Sequence, residues 1–279
     1  MVSQPEPRPR RNGPSLSSHQ PLADPRESGP PPPASPGASG LRWWQRRLLR
    51  LLVHDRARPG SWSPVQFVSR RRTSANYRFA AGLARGKHVL DVGAGHGLGM
   101  EILLRNGVAE LVGVDPSPAI NHVAGLTDER LRLIQAPVEE AGLAAAWFDL
   151  VTCFAVAYFI PNLPRFLAGI ARLVRPGGRL LINSIDPEFL QAVLRIPTAE
   201  GDGFAWRPLP VLRTMIEEAG LRIESEWQQT AIPRSHPGPW PRCARAALAG
   251  ALGSMVLQPA LPTDLAFYRL FSVLRVSQP

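Results

Sequence analysis

The chain is 279 residues long, 44% apolar, with a formal net charge of +10, enough for one sizeable α/β domain with some chain left over. The charge is not spread evenly: residues 1–72 carry thirteen arginines against four acids, while 73–279 carry 19 basic and 18 acidic residues. A nearly neutral body argues against a nucleic-acid enzyme, which usually carries a basic face on its catalytic domain.

Residues 1–40 hold eleven prolines among Ser, Arg and Gly. That composition buries too little apolar surface to offset ordering entropy, so a disordered tail is expected, with no secretory leader. The accessory segment 41–72 follows. Leu41, Trp44, Leu48, Leu51 and Leu52 recur at helical spacing, with arginines mostly off that stripe. An accessory helix packed on the main domain is expected there, with peripheral contact of 41–54 with an anionic membrane or partner as the competing reading. Residues 65–84 are also expected to be helical. Alternation then begins: strands at His88–Val92, Glu110–Asp115, Leu131–Ala136, Phe148–Ala155 and Arg179–Ile185, with helices at Met100–Asn106, 117–126 and Leu163–Val174. Pro176-Gly177-Gly178 stands as a stop and turn. Strand and helix in alternation predict a mostly parallel, doubly wound sheet covered on both faces. Further on, the pattern predicts a helix at Leu209–Ala219 and a strand at Leu221–Trp227. A Pro-rich loop, an apolar helix at Ala244–Leu257 and a last strand near Ala266–Val276 follow. Residues 73–279 are read as one domain, with 231–262 a lid insertion. The longest uncharged apolar-rich stretch, Leu150–Asn162, is too short to span a membrane. Cys153 and Cys243 have no metal-ligand spacing and the histidines form no HxxxH pattern, so free thiols in a reducing cytoplasm and no metal site are expected.

The chemistry concentrates in Val89–Gly99, VLDVGAGHGLG. A strand runs into Asp91, and Gly93, Gly95, Gly97 and Gly99 alternate after it. Such glycines let the backbone turn tightly and let a ligand approach the main chain. A second strand ends at Asp115, where an acid at the strand tip can accept both hydroxyls of a ribose. A dinucleotide fingerprint would need a third glycine at 98 or 100, but Leu98 and Met100 stand there, and Asp91 would repel a diphosphate. A carboxylate at that place suits a ligand with an ammonium group and no phosphate.

This stretch is similar to the first motif of class I S-adenosylmethionine-dependent methyltransferases, and four segments agree in order and spacing. Val112–Pro116 resembles the ribose-binding acidic motif, Ile134–Glu139 the adenine turn, Phe148–Phe159 the fourth strand with its substrate-facing motif, and Leu173–Ile182 the PGG turn and fifth strand. The resemblance covers roughly 74–230. It implies a seven-stranded Rossmann-like sheet with the last strand reversed, and S-adenosylmethionine as cofactor. It implies that Gly93, Ala94, Gly95 and Gly97 shape the loop around the methionine part, and that Asp91 helps orient the amino group. Asp115 would bind the ribose, with Pro116 and Ser117 beside it, Ala136 and Val138 would flank the adenine, and Phe154 would pack near the cofactor. Pro137 stands where many relatives have Asp, which leaves Glu139 or water to meet the adenine amine.

Methyl transfer needs nucleophile and methyl held at near-attack distance, and a base only where the nucleophile must lose a proton. Tyr158 and Asp186 are the catalytic candidates. His122, His236, His96 and Arg207 rank lower. Phe204, Trp206, Trp227, Trp240 and the 244–257 helix suggest a small apolar or aromatic acceptor, with the methylated atom open. The competing readings are an RNA methyltransferase using the basic N-terminus and a non-catalytic cofactor-binding partner protein. The usual Asn/Asp-Pro-Pro-aromatic motif for amine nucleophiles is absent after the fourth strand, which weighs against nucleic-acid bases.

Overall fold

The computed structural model describes residues 64–198, 204–233, 257–261 and 264–276. The expectations for residues 1–40 and 41–54, Cys243, His236, Trp240 and most of the 231–262 insertion, including the apolar helix, lie outside the described residues.

Helix α1 spans Pro64–Ala84, opening on a proline, which lacks the N–H that a first helical turn leaves unpaired anyway. The boundary drawn at 72/73 falls inside this helix. Strand β1 (His88–Val92), helix α2 (Leu98–Arg105) and strand β2 (Glu110–Val114) follow. Next come a 3-10 turn at Pro118–Gly125, strand β3 (Leu131–Ile134) and strand β4 (Phe148–Cys153). Helix α3 (Leu163–Leu173) is N-capped by the Asn162 side chain, and leads into strand β5 (Val174–Ile185). Short helix α4 (Pro187–Ala192), helix α5 (Leu209–Glu218), and strands β6 (Leu221–Pro233), β7 (Gln258–Pro259) and β8 (Asp264–Arg275) follow among the described residues.

The sheet runs β3-β2-β1-β4-β5-β8-β6-β7. The first five strands are parallel, and β8 lies antiparallel between β5 and β6. The seven expected strands are present, the last reversed. The eighth is a two-residue edge pairing Trp227 and Gln228 with Pro259 and Gln258. Side chains alternate faces along a strand, so two cores form. Val89, Leu111, Leu150, Leu181 and Leu270 pack with α1 and α2 through Tyr77, Ala80, Met100 and Leu103. Leu90, Val112, Val151, Leu180 and Phe271 pack on the other face with α3 and α5 through Phe166, Ile170, Leu212 and Ile216.

Several boundaries differ from the sequence expectation. The PGG segment is part of β5, because pairing already starts at Phe148 with Val174 and resumes at Leu150 with Arg179 after a bulge. Sheet hydrogen bonding overrides the local stop signal there. Strand β6 runs six residues past Trp227, since β8 offers it partners as far as Asp264. Residues 118–125 form a 3-10 turn, opened by Ser117 accepting a hydrogen bond from the Ala119 N–H. None of the described helices is long and apolar enough to cross a membrane.

Candidate functional site

A cavity of about 410 Å3 lies at the carboxyl ends of β1, β2 and β4, where open parallel sheets bind ligands. Its floor is the loop after β1. The N–H groups of Gly93 and Ala94 both donate to the Val114 carbonyl, at 2.8 and 3.2 Å, which ties the loop to the end of β2. Gly93 has φ 76°, and an added Cβ would stand 2.2 Å from Val156 Cγ2. Gly97, also left-handed at φ 78°, caps α2 and packs against Val123. Positive φ and contact this close together leave room only for glycine.

Asp115 stands at the tip of β2 and joins two loops. Its Oδ2 accepts from the Gly95 N–H and its Oδ1 from the Ser117 N–H, each at 2.8 Å. Two fixed donors orient the carboxylate, and its remaining lone pairs are available to the cavity it lines. Pro116, Ala136, Pro137, Val138 and the exposed Glu139 form one wall, and Phe154 and Val156 lie along another. Gly93, Ala94, Gly95, Asp115, Pro116, Ala136, Val138 and Phe154 thus meet around one space, and Gly97 braces it from the helix side.

Asp91 sits apart from them. It is fully buried beneath the loop and does not line the cavity. The Tyr77 hydroxyl lies 2.9 Å from both of its oxygens, and the Thr152 hydroxyl donates to Oδ1 at 2.7 Å. Burial pushes the Asp91 carboxyl up to about 7, against the pull of those two hydroxyls. Tyr77 carries the link to the cavity: its ring covers Gly99, where a Cβ would fall 2.0 Å away, and meets Phe154 edge-on at 5.0 Å.

A carboxyl held above its unfolded value stabilises the fold while protonated, and that contribution fades as pH rises toward its folded pKa. Stability of the wild type is therefore expected to fall relative to Asp91→Asn between about pH 4 and pH 7, by an amount on the order of 3–4 kcal/mol. Urea unfolding of both proteins across that range measures it, and parallel pH profiles would refute the assignment.

The two catalytic candidates are placed elsewhere. Tyr158 is 1% exposed, and its hydroxyl lies 3.2 Å from that of Tyr268. Burial, with the neighbouring Tyr268, raises its pKa well above the usual phenol range, so it stays protonated. It belongs to a packed cluster with Phe189, Phe204 and Tyr268, and Tyr268 rather than Tyr158 lines the cavity. Asp186 caps α4 by accepting from the Glu188 N–H at 2.9 Å, and faces a separate open cleft that also holds Arg207 and Arg213. Arg207 donates to the carbonyls of Ala205, Ile160 and Pro161, so it clasps two loops together. Of the aromatic residues read as acceptor surface, Phe204 is core, Trp206 stacks with Tyr158, and Trp227 packs on Phe79. His96 lines the cavity. The His122 side chain lies outside the described residues. Among the described residues no group of three His, Cys, Asp or Glu could hold a metal. Cys153 is buried, and burial raises its thiol above the range in which it would ionise at neutral pH.

Several cavity residues have no counterpart in the motif reading. Arg72, Thr73, Asn76 and Tyr77 line it from one face of α1. Asn183 does so from β5, and its Oδ1 accepts the N–H of Ala155, a non-glycine residue at φ 60°. The α1 group carried no clear signal, because Arg72 and Thr73 lie within the polar run Ser69–Ser74.

Comparison with known proteins accords with this geometry. Residues 90–182 match the methyltransferase domain family model. A ubiquinone biosynthesis O-methyltransferase from Coxiella burnetii is 35% identical over 120 residues, covering 42% of this chain and 51% of that protein. The protein of the same description from Acinetobacter baylyi is 32% identical over 155 residues, 53% of this chain and 59% of that protein. The chain thus spans about half the length of these relatives. The crystal structure of an S-adenosylmethionine dependent methyltransferase from Mesorhizobium loti superposes with a TM-score of 0.53 at 16% identity, over 73% of this chain and 100% of that one, so the fold is shared.

Proposed function

From the match of residues 90–182 to the methyltransferase domain family model, we infer that this chain binds S-adenosylmethionine in the cavity. We further infer that it moves the methyl group to a small apolar or aromatic acceptor. The observation that carries the reading is the Asp115 carboxylate, held by the Gly95 and Ser117 N–H groups at the mouth of a glycine-floored, largely apolar cavity. Those residues suit the cofactor. Asp115 would take the ribose hydroxyls, and Ala136, Val138 and the neighbouring wall would hold the adenine. The loop Gly93–Gly97 would leave its backbone open to the methionine part. Asp91 acts as a positioning residue, fixing Tyr77 and Thr152 under that loop. Bound there, the cofactor supplies a methyl on a sulfonium, ready for in-line displacement.

The chain's own part is to orient and to keep water out. Phe154, Val156 and Phe159 form the apolar wall on the acceptor side, and Asn183 holds the Ala155 turn between them. Excluding water strengthens electrostatic contacts inside the cavity and prevents hydrolysis. Neither catalytic candidate is assigned as a base, since Tyr158 is locked as a phenol and Asp186 faces the other cleft. An acceptor that arrives ionised fits this arrangement. The O-methyltransferase names of the relatives from Coxiella burnetii and Acinetobacter baylyi support oxygen as the methylated atom.

Titration calorimetry with S-adenosylhomocysteine tests the cofactor, and a screen of aromatic hydroxy compounds with methyl-labelled cofactor tests the reaction. Micromolar binding of the nucleoside, no binding of a pyridine dinucleotide, and label in an extractable small product are expected. Absence of heat with the nucleoside would end the reading. Heat without label in any product would leave a cofactor-binding protein in place of an enzyme.

A further inference from the structure

At the acceptor end of the cavity stands a charge with no carboxylate to meet it. Arg72 is 7% exposed and lines the cavity. Its guanidinium carbon lies 4.6 Å from the ring centroid of Phe267 and 5.1 Å from that of Tyr268, and both contacts lie over the ring faces. Among the described residues no Asp or Glu pairs with it, and its buried Nε has no hydrogen-bond partner. One turn along α1, Asn76 is 3% exposed and lines the same cavity, and its buried Oδ1 likewise has no partner. Aromatic faces stabilise a cation, and the Tyr268 hydroxyl accepts a hydrogen bond from the guanidinium, but these contacts neither partner its Nε nor supply a compensating carboxylate. Buried cations are ordinarily paired, and a buried donor left unsatisfied costs free energy that a bound ligand can recover. Burial also lowers the Arg72 pKa, the direction expected of a cation short of a counter-ion.

We propose that Arg72 and Asn76 form a binding subsite for a carboxylate on the methyl acceptor. The guanidinium fork would take both carboxylate oxygens, and the Asn76 amide would meet a neighbouring polar group of the acceptor. This inference rests on the methyl-transfer reading and narrows its substrate class to aromatic or apolar acids. The chemistry suits the site: a planar guanidinium matches a planar carboxylate with two parallel hydrogen bonds, and the contact is strongest where water is excluded. The apolar wall of Phe154 and Phe159 would carry the rest of the acceptor. The position of Arg72 on α1, the helix that also holds Tyr77 over Gly99, sets the acid beside the cofactor loop.

The test compares trans-cinnamate with its methyl ester, two aromatic probes of similar shape that differ in charge. Each is titrated into the full chain saturated with S-adenosylhomocysteine. Wild type is expected to bind the acid about tenfold or more tightly than the ester. In Arg72→Gln the preference should fall to about twofold or less, while nucleoside affinity changes by less than about threefold. A wild-type ratio near one, failure of both probes to bind, or a preference that survives Arg72→Gln would overturn the proposal. Where Arg72→Gln gives no cooperative melt, Arg72→Lys decides. It keeps the charge without the fork, so a ratio cut several-fold supports the subsite and an unchanged ratio overturns it. Nucleoside heat with no acid preference sinks this inference alone. No nucleoside heat sinks the reading beneath it.

Discussion

Replacing Asp115 with alanine is expected to weaken S-adenosylhomocysteine binding by about 100-fold or more, because hydrogen bonds to a charged group are worth roughly 1.5–3 kcal/mol each and two ribose hydroxyls would lose theirs. The loss has a second source. Oδ2 and Oδ1 accept from the Gly95 and Ser117 N–H groups, so the alanine variant also frees the loop that floors the cavity from the turn that follows β2. Asp115→Asn separates the two contributions. Its amide keeps one acceptor and the side-chain volume but loses the charge, and a loss of about tenfold is expected, between wild type and alanine. Calorimetry gives the dissociation constants, and a thermal melt without ligand checks that the fold persists. An alanine variant within about threefold of wild type would remove the ribose from Asp115 and with it the ligand orientation proposed above.

The second large effect is expected at Gly93. An alanine there meets two separate costs. Its φ of 76° lies in the left-handed region, which costs an L-residue roughly 1–2 kcal/mol. Its Cβ would also stand 2.2 Å from Val156 Cγ2, and making space costs about 1–3 kcal/mol more. Gly93→Ala is therefore expected to destabilise the protein by about 2–5 kcal/mol and to lower the melting temperature by about 5–20 °C. Nucleoside binding should fall as well, since the Gly93 N–H is one of the two that tie the loop to Val114. The two costs separate in a double-mutant cycle. Val156→Ala removes the obstructing methyl groups, so the double variant should recover the steric part and keep the backbone part. A fully additive cycle would mean that Val156 does not limit this position. An unchanged melt for Gly93→Ala would mean that the turn differs from the one described.

The motif-bearing part of the site was legible along the chain for a physical reason. Glycines that turn a strand into a ligand-facing loop, and an acid that ends the next strand, do their work within a few residues of one another. Their identities alone mark them, and Gly93, Gly95 and Asp115 do meet in one cavity, with Gly97 behind it as the cap of α2. The acceptor side was not legible in the same way. Tyr158 has the chemistry of a catalytic residue and follows the fourth strand, yet its hydroxyl faces Tyr268, 110 positions away in sequence. Asp186 ends the fifth strand as expected, but the start of α4 takes its Oδ1 as a cap. Arg72 was hidden by its neighbours: counted with twelve other arginines in residues 1–72, it looked like part of a solvated basic segment.

The sequence by itself determined the order of the elements, the parallel half of the sheet and the glycines that turn the backbone beneath the cavity. These follow from hydrophobic period, from glycine and from short-range spacing, all of which act locally. Tertiary structure decided what no local rule reaches. It carried β5 through the PGG segment, because β4 pairs on either side of it, Phe148 with Val174 and Leu150 with Arg179. It turned Asp91 away from the cavity and onto Tyr77 and Thr152. It also folded α1 against the sheet, so that an arginine from the basic end of the chain stands over Phe267 and Tyr268 at the edge of the cavity. Burial and pairing belong to residues far apart in sequence, and only the packed chain brings them within reach of one another.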